Sequence, residues 1–123
     1  MSKKILIVDD NEQDRMIMKR YLYQAGYYNL FMAESGKEAL TIAFSEKPDL
    51  IILDIMMPVL SGSEVGEILK KDQRTNKIPI IFLTGLLQKE EAEHLGYQIS
   101  GDHFLSKPVK PQELISIAET IFG

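Results

Sequence analysis

Short apolar runs alternate strictly with amphipathic segments along this chain, and that alternation admits few folds. Five stretches read as strands: β1 (4–8, with Ile5-Leu6-Ile7-Val8), β2 (30–33), β3 (50–54, with Leu50-Ile51-Ile52-Leu53), β4 (78–83) and a short β5 (103–106). Between and after them lie helical patterns. Asn11 can cap α1 (about 12–25), where Met18, Tyr21, Leu22 and Ala25 keep i, i+3, i+4, i+7 spacing, and Gly26 ends it. Ser35 and Glu38 have capping-box spacing at the start of α2 (to about 44). Ser61-Gly62-Ser63-Glu64 opens α3, with Val65, Ile68 and Leu69 inward, and 72–77 is a polar loop. Residues 87–95 give α4, broken by Gly96, and Pro111 opens α5 with Leu114, Ile115, Ile117, Ala118 and Ile121 largely on one face.

Strands that alternate with helices require crossovers, hence a parallel sheet with right-handed connections and helices on both faces. Five βα units are too few to close an eight-unit barrel, so the expected fold is α/β with an open, doubly wound, five-stranded parallel sheet and five helices. The 123 residues suit one domain, 1–123, and α5 ends almost at Gly123, so no output domain is expected.

In open parallel sheets ligands bind at the carboxyl ends of the strands. Here those ends carry chemistry. Asp54 is a lone carboxylate closing β3 ahead of Ile55-Met56-Met57-Pro58; Asp9 and Asp10 follow β1; Thr84 follows β4; Lys107 and Pro108 follow Phe104-Leu105-Ser106. Three carboxylates, one hydroxyl and one ammonium should converge on one sheet edge. An X-Pro bond costs only about 0.5–1 kcal/mol in cis, and a cis bond before Pro108 would turn Lys107 into the site.

Composition removes other classes. With no Cys, neither a disulfide framework nor a thiolate metal site is available. Lys3 and Lys4 precede an apolar run too short for a signal peptide, and no stretch is long enough to span a bilayer, so a soluble, cytoplasmic protein without membrane contact is expected. A formal net charge of -4 argues against direct nucleic-acid binding.

The set Val8-Asp9-Asp10-Asn11, Asp54-Ile55-Met56-Met57-Pro58 with Gly62, Leu83-Thr84-Gly85 and Phe104-Leu105-Ser106-Lys107-Pro108 resembles the receiver domain of two-component response regulators, the CheY-like family. Order and spacing match along the whole chain: Asp54 stands 44 residues after Asp10, Thr84 stands 30 after Asp54, and Lys107 stands 23 after Thr84. The resemblance implies a flavodoxin-like strand order 2-1-3-4-5 and transfer of a phosphoryl group from phosphohistidine, or from a small phosphodonor, to Asp54. It implies a signalling phosphoacceptor that catalyses its own phosphorylation and dephosphorylation rather than an enzyme acting on other substrates. It also implies Mg²⁺, with Mn²⁺ as a substitute, held by Asp10, Asp54 and the Met56 backbone carbonyl, with Asp9 acting through water. Lys107 and Thr84 would contact the phosphoryl group, and Phe104 would change position as Thr84 moves.

The chemistry of the residues agrees with this reading. A carboxylate attacks phosphorus only when the charges on both sides are neutralised. Two unit charges about 4 Å apart repel by roughly 4 kcal/mol at an effective dielectric near 20. Lys107 offsets only part of that repulsion among Asp9, Asp10 and Asp54, and an all-oxygen acidic site suits Mg²⁺.

Partners implied by the resemblance are a sensor histidine kinase or histidine phosphotransferase on the α1 face (Gln13, Asp14, Met16, Ile17) and a downstream protein. The target would bind, or the chain would homodimerise, through the α4–β5–α5 face around Leu87, Phe104 and Lys110. For Ile17, plain core packing is the favoured reading. His94 and His103 read as ordinary surface or edge residues. Met56 and Leu86 are bulky and apolar where they would flank the phosphoryl group, which predicts slow autodephosphorylation, whereas Gly85 should leave the pocket open. Tyr97-Gln98-Ile99-Ser100-Gly101 departs from the small-residue turn usual before β5. Three other classes fit these residues less well. An FMN carrier would need Gly, Ser and Thr to cradle a phosphate in the loop after β1, where Asp9-Asp10 would repel one without a metal; an aspartate-nucleophile phosphatase would want a carboxylate at Met56, and a phosphorylation-independent interaction module would not need all five groups.

Overall fold

Strands of unbroken aliphatic residues are stable only where both sheet faces are covered. In the computed structural model, which describes residues 2–85 and 103–123, three such strands lie at the centre of one sheet. The elements are β1 (Lys4–Val8), α1 (Glu12–Gln24), β2 (Asn29–Ala33), α2 (Gly36–Glu46), β3 (Leu50–Asp54), α3 (Gly62–Lys71), β4 (Ile80–Thr84), β5 (His103–Ser106) and α5 (Pro111–Phe122). All strand pairs are parallel, in the order β2-β1-β3-β4-β5. The expected α4, with Leu86, His94 and 97–101, lies outside the described residues.

The two-residue period of each strand divides the core into two layers. Ile5, Ile7, Leu50, Ile52, Ile81, Leu83 and Leu105 pack with Met18 and Leu22 of α1 and Leu114 and Ala118 of α5. Leu6, Val8, Ile51, Leu53, Ile80 and Phe82 pack on the other face with Ala39 and Ala43 of α2 and Val65 and Leu69 of α3. Full burial of each large aliphatic side chain contributes about 1.5–3 kcal/mol. Asp9, Asp54 and Lys107 continue the odd or even series that faces α1, whereas Thr84 and Phe104 continue the series that faces α3.

Asn11 caps α1 by accepting from the Asp14 amide, and Ser35 caps α2 by accepting from Glu38. The reciprocal capping box forms at Ser61–Glu64, where Glu64 also accepts from the Ser61 amide. Some expected details shift. Thr84 lies inside β4, while Ile78 and Pro79 precede it in a turn closed by the Ile78 amide donating to the Thr75 carbonyl. Ile68 and Ala25 are exposed, because Gly66 and Leu69 take the inner face of α3 and Ala25 is already the C-cap of α1. Ile17, expected in the core, is 42% exposed, since Met18 and Leu22 fill the layer beneath α1.

Candidate functional site

Each chemical group at the carboxyl edge arrives there because its strand runs out. Asp9 is fully buried and its amide donates to the Ala33 carbonyl, extending the β1–β2 ladder by one bond beyond Val8. Asp54 ends β3 and is 3% exposed. The Lys107 amide donates to the Thr84 carbonyl at 2.7 Å, tying the end of β5 to the end of β4, and the Lys107–Pro108 bond is cis.

The Lys107 ammonium is the hub. Its Nζ donates to Asp9 Oδ2 at 2.8 Å, to Asp14 Oδ2 at 3.1 Å and to Asp54 Oδ2 at 3.2 Å. The free oxygens of the two buried carboxylates are satisfied locally: Asp9 Oδ1 accepts from the Asn11 amide at 2.9 Å and Asp54 Oδ1 from the Met56 amide at 3.2 Å. Arg15, in the first turn of α1, donates from Nη1 to the Asp9 carbonyl at 2.6 Å and sits 3.9 Å from Glu34.

Electrostatics follow from this packing. Burial, then the charge of Asp9, push the Asp54 carboxyl up to about 6, against the pull of Lys107 and the Met56 amide. For Lys107, burial opposes the charged form, but the hydrogen bond to Asp9 and the charges of Asp54 and Asp9 outweigh it, so the ammonium is held above its ordinary value. Asp9, Asp10 and Asp54 each place a carboxylate oxygen within 4.8 Å of the others, with Asp10 exposed to solvent. Three hard oxygens at that spacing, one of them open to water, fit Mg²⁺, which retains several waters.

Thr84 is fully buried at the end of β4, and among the described residues its Oγ1 is the buried side-chain polar atom without a hydrogen-bond partner. Phe104 is half-buried, stacked on Phe82 with centroids 5.3 Å apart and planes inclined by 22°. Met56 stands beside the cluster, 60% exposed, and Gly85 follows Thr84 at the edge. Asp9, Asp10, Asp54 and Lys107, singled out in the sequence, therefore converge, and Thr84 ends the neighbouring strand at the same sheet edge. Leu86 lies outside the described residues.

Two contributors lie outside the site residues that the sequence singles out: Asp14, expected on a partner face, and Arg15. The available signal was spacing: Asp14 follows Asp10 by four residues, and helix side chains lean toward the N-terminus, so a first-turn carboxylate reaches back over the β1 end.

The loop from β3 to α3 is strained at one point. Val59 has φ 69°, and the Leu60 amide donates across it to the Pro58 carbonyl at 2.8 Å, a γ-turn that suits glycine better than a β-branched residue. Its side chain is fully exposed and packs on nothing. Val59→Gly is expected to stabilise the fold by about 1 kcal/mol, read as a higher urea midpoint.

A buried acid cluster locked by one lysine, on a 2-1-3-4-5 sheet, places this chain among the receiver domains of signalling proteins. The family model of the response regulator receiver domain matches residues 5–119, and the chain belongs to that family, the receivers of two-component systems. It is 40% identical, over 93% of its length, to the alkaline phosphatase synthesis transcriptional regulatory protein PhoP of Bacillus subtilis, of which it covers 46%. To the polar-differentiation response regulator DivK of Brucella ovis it is 36% identical over its full length, covering 98% of that protein. The chain thus spans about half the length of the transcriptional regulators it matches. Among solved structures it resembles the receiver domain of a sensor histidine kinase from Pseudomonas aeruginosa, which has a magnesium ion coordinated in its active site cleft. That likeness has a TM-score of 0.87 at 26% identity, with all of both chains covered.

Proposed function

We propose that Asp54 is the phosphoacceptor of this receiver and that Asp9, Asp10 and the Met56 carbonyl join it in holding Mg²⁺, or Mn²⁺ in its place. The observation that carries the reading is the pairing of a buried Asp54, bridged to Asp9 through Lys107, with a buried Thr84 hydroxyl that has no partner among the described residues. An Asp54 oxygen attacks phosphorus, the bond from phosphorus to the donor imidazole nitrogen breaks, and its electron pair returns to that nitrogen. Lys107 supplies a point charge to the new phosphoryl oxygens, and Thr84 donates a hydrogen bond to one of them. A bound Mg²⁺ would neutralise charge on the carboxylates and the phosphoryl oxygens. The domain performs this chemistry on itself, and small phosphodonors serve as well as a kinase.

The phosphoryl group adds about -1.5 to -2 charge at neutral pH. Recruiting Thr84 and Lys107 to it would move the end of β4 and, through Phe104, the face formed by β5 and α5. Residues 1–123 act as one receiver domain in the cytoplasm. A histidine kinase or phosphotransferase docks at α1, and a protein target or a second copy docks at the α4–β5–α5 face, without direct contact to nucleic acid or membrane. Among the described residues no helix is long and apolar enough to cross a membrane.

The test is intact mass after incubation with acetyl phosphate and Mg²⁺. The native chain should gain one phosphoryl group, about 80 Da, while Asp54→Asn or omission of the metal should reduce the gain at least a hundredfold. No gain in folded native protein would overturn the reading. The lifetime of the adduct tests the apolar cover: Met56→Asn is expected to speed its decay several-fold by admitting water, and an unchanged half-life would remove Met56 from that role.

A further inference from the structure

Lys107 has three N–H donors, and three carboxylates take them all: Asp9, Asp54 and Asp14. The first two belong to the group of acidic oxygens able to hold a cation; Asp14 does not. It sits instead in the first turn of α1, where its amide is fixed by the Asn11 side chain. That helix N-terminus favours its negative charge, so the carboxylate has a defined position, with 39% of the side chain exposed.

We infer that Asp14 is a positioning residue that competes with the phosphoryl group for Lys107 and so opposes the phosphorylated state. The inference rests on the phosphoacceptor reading of Asp54. When a cation occupies Asp9, Asp10 and Asp54, their charge is shared with it and their hold on the ammonium weakens, whereas Asp14 keeps its full charge. To reach phosphoryl oxygens on Asp54, Lys107 must then leave Asp14. Asp14 also repels the incoming charge directly. Both effects have the same sign, and both are partly exposed to solvent, so they amount to several-fold rather than thousand-fold and weaken with salt.

The experiment is calorimetric titration of the native chain, Asp14→Asn and Asp14→Glu with beryllofluoride at saturating Mg²⁺, in 20 mM and 500 mM salt. Beryllofluoride is a non-covalent mimic of the phosphoryl group and avoids differences in donor kinetics. Asp14→Asn should bind about fivefold more tightly than the native chain at low salt, the advantage should shrink at high salt, and Asp14→Glu should resemble the native chain. A merely structural role would not give tighter binding that salt abolishes. Equal or weaker binding by Asp14→Asn would overturn the competition while leaving the phosphoacceptor reading intact. Absence of binding by the native chain would overturn the phosphoacceptor reading and this inference with it.

Discussion

Gly62→Ala is expected to destabilise the domain by about 3 kcal/mol, lowering its melting temperature by roughly 10 °C. Gly62 is the first residue of α3, and its amide donates to the Ile55 carbonyl at 3.0 Å, closing the loop that carries Met56 past the site. A Cβ built at Gly62 would run into the Asp54 carbonyl oxygen and stand 2.8 Å from the Ile55 Cα. Both obstacles are backbone, which cannot rotate away as a side chain can. Relief would require α3 to withdraw from the end of β3, shifting the peptide that orients Asp54. Phosphorylation should therefore fall together with stability. Gly66 is the internal control: its added Cβ would meet the Phe82 ring at 2.8 Å, and a ring can tilt, so Gly66→Ala should cost less. Equilibrium urea unfolding of the two variants checks the order, and a Gly62→Ala loss no larger than that of Gly66→Ala would remove the backbone clash as the reason for glycine at 62.

The same contact shows why some of this protein was legible in its sequence and some was not. The strand order is implied by the family resemblance, whereas the parallel sheet and the gathering of Asp9, Asp54, Thr84 and Lys107 at one edge follow from period and alternation, because apolar runs fix which residue lies at the strand end, and the parallel arrangement sends all those ends to one edge. Those rules are local or topological, and the sequence states them directly. Gly62 was visible as part of a motif, but its reason was not, since the clash involves a carbonyl eight residues away that only the folded loop brings near. The contact of Asp14 with Lys107 is hidden for a related reason: a carboxylate in the first turn of a helix is favourable on its own account, so nothing in the pattern asks for Lys107, 93 residues on. Ile17 and Ile68 are expected inward from apolar character and helical spacing, which do not count the area available beneath the helix. Met18 with Leu22, and Val65 with Leu69, had already filled it.

Replacing Asp54 should stabilise the metal-free protein even as it removes the proposed acceptor. The Asp54 carboxyl is raised to about 6 by burial and by Asp9, so near pH 5 the folded state holds a proton there that the unfolded chain has lost. Below about pH 4 the group is protonated in both states and contributes no pH dependence. As pH rises from about 4 to 6 the unfolded state binds fewer protons than the folded one, and stability falls; above 6 this loss is complete. Raising the carboxyl from its ordinary range to about 6 corresponds to about 3 kcal/mol at full strength, and solvent screening at the cluster's open side reduces it to about 1–2 kcal/mol. Asn at 54 has no charge to lose, and Lys107 keeps Asp9 and Asp14 as partners. Asp54→Asn should thus be about 1–2 kcal/mol more stable than the native chain at pH 7.5 without metal, with the difference vanishing near pH 4. Mg²⁺ should reverse the ranking. A cation present at a hundred times its dissociation constant adds about 2.7 kcal/mol to whichever protein binds it, and the native chain, with three carboxylates at the site, should bind it better than Asp54→Asn. Protonation of Asp54 competes with the cation, so the Mg²⁺-induced rise in the native chain's urea midpoint should fade below pH 6, and chelator should abolish it at every pH. If the native chain gained as much from Mg²⁺ at pH 5 as at pH 7.5, Asp54 would not be a ligand.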